Sequence, residues 1–187
     1  MSQSSSLIGK LLIAMPNLED PYFERTVTFM CAHTEEGALG IVINQPHMAT
    51  MDEVLAQLSL QSDRLQQSIV NYGGPVSPER GFILYEDDLK LDGYLEVVPH
   101  LFMGTNPDIL RKLVSGPHTG RFLFALGYAG WSAGQLEEEM REDSWLVTDL
   151  DRRILFDVPL ENRWEAAVRL LGIDPAMIVG GNRISIN

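Results

Sequence analysis

Residues 130–134 read GWSAG, after the apolar run 121–129 and before QLEEEM at 135–140. A Gly-x-Ser-x-Gly between a strand and a helix is where one large class of hydrolases carries a nucleophilic serine on a sharp turn. That chemistry needs an acid and then a histidine later in the chain. His33, His47, His100 and His118 all precede Ser132. A helix-capping reading accounts for more of the stretch. With Ser132 as N-cap, Gln135 stands at N3 of an S-x-x-Q capping box, and Trp131 and Leu136 form the flanking hydrophobic staple. Glu137, Glu138 and Glu139 then lie near the positive helix end, where acids are favourable. Ser132 is read as a cap worth about 1 kcal/mol, and no catalytic residue is assigned. Gly127, Gly130 and Gly134 match neither a dinucleotide fingerprint nor a P-loop, and no lysine follows them.

A second set of polar residues, Asp20, Arg25, His33 and Asn44, falls on adjacent expected strands or their ends, where it could hold a small polar ligand or perform acid–base work. Structural roles explain the same residues more simply. Asp20-Pro21 reads as a turn, Arg25 can pair with a nearby acid, and Asn44, two residues before Pro46, can bond its own backbone. Cys31 and His33 alternate along a strand and are expected on one side of it. A Cys-x-His pair lacks two further ligands, so no metal site is expected. In YGGPVSPERG at 72–81, Gly74 could allow close backbone approach and Arg80 could hold a carboxylate or phosphate, although a tight turn suffices. Tyr128, Trp131 and Phe102 could form an aromatic patch for a partner or fill the core. The ligand- or partner-binding candidates are Arg25, His33, Asn44, Gly74, Arg80, Tyr128, Trp131 and Gln135.

These residues must be placed by elements that the apolar patterning announces. Strands are expected at 10–15, 26–33, 38–44, 68–73, 81–85, 94–98, 121–127, 145–149 and 153–158, with a hairpin at 35–37. Thr50 with Glu53 forms a capping box for a helix over 52–58. Asn106 followed by Pro107 starts a helix over 107–114. LENRWEAAVRLLG at 160–172 places Trp164, Ala167, Val168 and Leu171 at helical spacing and stops at Gly172. Separated strands and helices with hairpins give an α+β domain, a mixed and partly antiparallel sheet flanked by helices, with a layered α/β sandwich as the alternative.

The chain of 187 residues fits one domain, with 1–6 expected as a disordered tail. It is 45% hydrophobic and 21% charged, the composition of a globular protein. No run approaches the roughly 20 apolar residues of a membrane helix, so no membrane association is expected. The start lacks a secretory signal, and Cys31 is the sole cysteine, which together suit a reducing cytoplasm. The 26 acids against 14 bases give a net charge of −12, the wrong sign for holding nucleic acid. The one helix with adjacent bases offers Arg111 and Lys112, splayed about 100° apart.

LIGKLLIAMPNLEDPYFERTVTFMCAH, GALGIVINQP, YGGPVSPERGFILY, FALGYAGWSAGQLEEEM and ILFDVPLENRWEAA resemble, in motif and in order, the AlgH/YqgE family of bacterial proteins. The resemblance runs over residues 7 to 178. It implies an α+β fold with a mixed sheet and a role in transcriptional regulation, and implies no particular reaction or cofactor. The family motif Gly-Tyr-x-x-Trp-x-x-Gly-Gln-Leu-Glu is carried by Gly127, Tyr128, Trp131, Gly134, Gln135, Leu136 and Glu137, and leaves position 132 variable. The expected function is that of a cytoplasmic binding or regulatory protein acting through a protein partner or small ligand. One alternative is an enzyme with a polar pocket built from Arg25, His33, Asn44 or Arg80. A DNA-binding regulator is the other.

Overall fold

Alternation along Lys10–Ala14 sends Leu11 and Ile13 into one core and Leu12 and Ala14 into another, so strand β1 is buried on both faces. A sheet with two buried faces needs helices on each. The structure, a computed structural model of the chain, describes residues 6–16, 22–65, 68–86, 92–116 and 120–179. Residues 1–5 of the tail expected at 1–6, the Asp20-Pro21 turn and His118 lie outside them.

Strands β2 (Val27–Thr34) and β3 (Gly37–Val42) form the expected hairpin. Strands β4 (Pro46–Thr50), β5 (Ile69–Tyr72), β6 (Val76–Tyr85), β7 (Tyr94–Val98), β8 (Leu101–Gly104), β9 (Phe122–Ser132) and β10 (Trp145–Asp149) complete one ten-stranded sheet. Its main path runs β10-β1-β2-β3-β9-β6-β8-β7, all antiparallel. The path forks at β9. The β9 segment Phe124–Leu126 lies parallel to β5, which carries β4, while the segment Ala129–Ser132 pairs with β3. The sheet is therefore mixed, and it curls into a half-barrel.

Helices α4 (Arg152–Phe156), α5 (Arg163–Leu170) and α6 (Pro175–Val179) cover one face through Ile154, Leu155, Trp164, Ala167, Val168 and Ile178. The other face has two cores. Helices α1 (Met51–Gln57) and α2 (Pro107–Ser115) cover the β5-β6-β8 side, and α3 (Gln135–Arg141) covers the β1-β2-β3 side. The expected caps form: Thr50 and Glu53 make the reciprocal box of α1, and Asn106 accepts from the Asp108 N–H at 2.9 Å. A 3-10 turn over Leu160–Asn162 precedes α5, and Gly172 sits just past its end at φ +72°.

Three expectations about elements need correction, and two strands, β4 and β8, were not expected. Residues 153–158 begin as helix α4, because the Asp151 carboxylate accepts from the Arg153 N–H at 3.0 Å and turns the chain. An apolar run of three cannot by itself separate strand from helix. β4 carries a Pro-His pair on an exposed edge, and β8 has only four residues, so neither shows a strand pattern. β6 starts at Val76, before an irregularity that ends at Gly81. β9 runs on to Ser132, five residues beyond the expected end at 127.

Candidate functional site

Glycine in the left-handed region decides how GWSAG is built. Gly134, at φ +76°, is the N-cap residue of α3 and makes no side-chain cap. Ser132 remains on β9, so the expected serine N-cap is not formed. Half of the expected box survives: Gln135 Oε1 accepts from the Ser132 N–H at 3.0 Å. The Ser132 hydroxyl donates to that same Oε1 at 3.2 Å instead of accepting from a helix N–H. Trp131 and Leu136 pack in one buried cluster, as a staple requires. Glu139 organises the rest. Its Oε2 accepts from the Trp131 and Trp145 indole N–H groups, each at 2.8 Å, and its Oε1 accepts from Gln135 at 2.9 Å. Trp131 and Gln135 are thus occupied in holding α3 to the sheet.

A β-bulge relocates His33. The β2–β3 register shifts between Met30 and Ala32, so Cys31 points into the core under α4 and α5 while His33 joins the α3 side with Met30 and Ala38. The expected common side for Cys31 and His33 does not exist, and burial raises the Cys31 thiol far above its usual range. His33 Nδ1 accepts from the Leu7 N–H at 3.1 Å, which leaves Nε2 to donate to Glu137 Oε1 at 2.7 Å. That hydrogen bond, with the Glu137 backbone contact, holds the Glu137 carboxyl below the ordinary carboxylate range.

Arg25 sits on the opposite side, against α5. Asn44 accepts from the Val27 N–H at 2.7 Å and donates to the Arg25 carbonyl at 2.9 Å, clamping the chain before β2. Arg25, at φ +52°, lays its guanidinium 4.5 Å from the Trp164 ring. The pocket expected from Arg25, His33 and Asn44 is therefore divided by the sheet. Gly74 is held at φ +146° by β9, since a Cβ there would lie 2.2 Å from the Tyr128 backbone carbon. Arg80 donates to the Thr105 hydroxyl at 3.2 Å and stacks over Phe82. Phe102, Trp131 and Tyr128 belong to three different cores, so the expected aromatic patch is not assembled.

Two concave sites stand out among the described residues. One is a cleft of about 810 Å³ between α1 and α2, floored by β6 and β9. Val54, Leu58 and Leu126 are half-buried on its walls, and the charged residues lining it are Glu53 and Glu79. The other is a cavity of about 440 Å³ where β5 and β9 meet α4 and α5, lined in part by Asn71, Arg121 and Arg163. Neither Asn71 nor Arg163 carries a signal in sequence. Arg163 reads as one more exposed base in an amphipathic helix, yet it is 9% exposed. Among the described residues no three His, Cys, Asp or Glu side chains gather as a metal site, and no helix is long and apolar enough to cross a membrane.

The sequence model of the AlgH-like family matches residues 11–176. A UPF0301 protein of Magnetococcus marinus is 55% identical over 175 residues, 94% of either chain. One of Saccharophagus degradans is 47% identical over 171 residues, covering 90% of this chain and 84% of that one. The solution structure of the AlgH protein from Pseudomonas aeruginosa superposes with a TM-score of 0.79 at 40% identity, over 97% of both chains. A protein from Corynebacterium diphtheriae, at 19% identity and a TM-score of 0.70 over 97% of this chain and 95% of that one, shares the fold.

Proposed function

The chain belongs to the AlgH-like family, and from that premise we propose that it is a cytoplasmic binding or regulatory protein that works through a protein partner. The partner contributes a basic, amphipathic helix, which lies in the cleft between α1 and α2. One observation carries this reading: the cleft combines half-buried Val54, Leu58 and Leu126 with a charged lining that is wholly acidic. Covering those apolar walls releases water at roughly 25 cal/mol per Å². Lysines or arginines flanking the apolar stripe of the incoming helix would face Glu53 and Glu79, the usual logic of helix-in-groove recognition. A net charge of −12 would speed the approach of such a segment. The cleft offers a small molecule little orientation, because Glu53 is engaged in the α1 cap and Thr105 accepts from Arg80.

The test places a photo-crosslinking amino acid at Gln57, an exposed residue lining the cleft, in cells of the native host. A discrete protein adduct is expected, lost on Val54→Arg and kept on Leu170→Arg, which adds the same charge on α5 across the sheet. An adduct unaffected by Val54→Arg, or none at all, would refute the cleft as the docking site.

A further inference from the structure

The second cavity contains two buried groups that the fold leaves incompletely partnered. Arg163 opens α5 with its side chain almost wholly enclosed, and its partners are carbonyls: Nε donates to Val158 O at 3.0 Å and Nη1 to Ile43 O. A guanidinium has five N–H groups, so three lack a partner among the described residues. No carboxylate lies within ion-pair distance of it among those residues, and Glu161 acts on it only through space. Burial lowers its pKa to about 10. The positive end of α5 adds to the cost of a cation placed there. Arg121 on the same wall differs, being neutralised by Glu86 and Asp157.

Asn71 is the second group. It is 4% exposed, and its amide donates to Phe124 O at 3.1 Å, which fixes which end is nitrogen. Its Oδ1 is fully enclosed and has no donor. A buried acceptor without a donor and a buried cation without an anion are each costly, and such groups in native proteins call for an explanation. Both line one cavity, together with Phe122, Leu155 and Phe156.

We propose that this cavity binds a small organic carboxylate with a short apolar body. The carboxylate lies against the outer edge of the Arg163 guanidinium, and the apolar body covers Phe122 and Phe156. Planar carboxylate suits this site better than phosphate, because Phe122, Leu155 and Phe156 line it and Arg163 is left unneutralised. The cavity touches Met51 at the start of α1 and shares Phe124 with the α1–α2 cleft, but Asn71 and Arg163 line the cavity and not the cleft.

Amide and guanidinium NMR shifts of the full chain, titrated with isocaproate, isocaproamide and inorganic phosphate, test it. Isocaproate is expected to shift the Arg163 Nε–H and the amides of residues 69–71 and 122–124. The uncharged isocaproamide should bind about tenfold more weakly. Asn71→Leu should leave the preference for carboxylate over amide in place. Arg163→Met should abolish that preference. Absence of shifts at these residues with isocaproate, phosphate binding in preference to it, or an unchanged carboxylate preference in Arg163→Met would each overturn the proposal.

Discussion

At the scale of single residues, most polar side chains that invite a catalytic reading are tied to backbone or to one another. Asn44 clamps Arg25 and Val27, and His33 bridges Leu7 and Glu137. Their residue types were legible, but their faces were not, because the bulge after Met30 reverses the alternation on which the His33 assignment rests. Ser132 shows the same limit. Its hydroxyl caps no helix N–H, so Ser132→Ala should change stability by less than about 0.5 kcal/mol, whereas Gln135→Ala should cost about 1 kcal/mol by releasing contacts to Ser132 and Glu139. Denaturant midpoints decide between this order and the reverse, which a serine cap would give. Acid sensitivity follows from Glu137, whose carboxyl is held low first by the His33 hydrogen bond. A depressed folded pKa contributes stability that is present above the unfolded value of about 4.3 and lost as pH falls through the folded one. The melting temperature should therefore hold between pH 7 and about 5 and drop below about 4, with a shallower drop in Glu137→Gln. Glu86 adds to the same trend, since hydrogen bonds and charge from Arg121 and Arg152 outweigh the upward push of burial.

Among the elements, the strands that follow an alternating apolar pattern and the helices with explicit caps were legible: β1, β2, β3, β10, α1 and α2 all stand where the residues indicate. The edge strand β4 and the short β8 were not, because a strand that exposes one side or spans four residues leaves too little pattern. The fork at β9 was invisible for another reason, since it depends on long-range backbone contact. Gly73-Gly74 crosses Gly127 so closely that a Cβ on Gly127, itself at φ +75°, would lie 2.2 Å from the Gly74 carbonyl oxygen. Gly127→Ala should thus cost more than about 3 kcal/mol, combining backbone strain with a clash against main chain that cannot swing aside. Gly134→Ala shares the left-handed φ but meets no atom within 4 Å, and should cost only about 1 kcal/mol. Equal losses in thermal unfolding would show that the crossing at β9 tolerates expansion.

For the molecule as a whole, fold class and family could be read from the chain, while both concave sites arise only when distant segments meet. The α1–α2 cleft joins residues 49–58, 79–83, 105–110 and 124–126, and nothing within any one of these stretches marks it as a cleft wall. Whole-molecule electrostatics also weigh on the DNA-binding reading. Net charge opposes a polyanion, and Arg111, one of two bases on α2, is committed to Leu58 O at 2.6 Å and to Asp108. A cationic helix is the ligand proposed for the cleft. The decisive measurement is an NMR titration of the full chain with a synthetic Leu/Lys amphipathic helix of about five turns, beside the same peptide with Glu in place of Lys. Saturable binding near 10 μM, about −7 kcal/mol, is expected, with shifts along α1, α2 and β6 that vanish in Val54→Arg and persist in the charge-matched Leu170→Arg. Shifts spread over the acidic surface, or equal weakening by the two variants, would mean that charge alone attracts the peptide and that the cleft is not its seat.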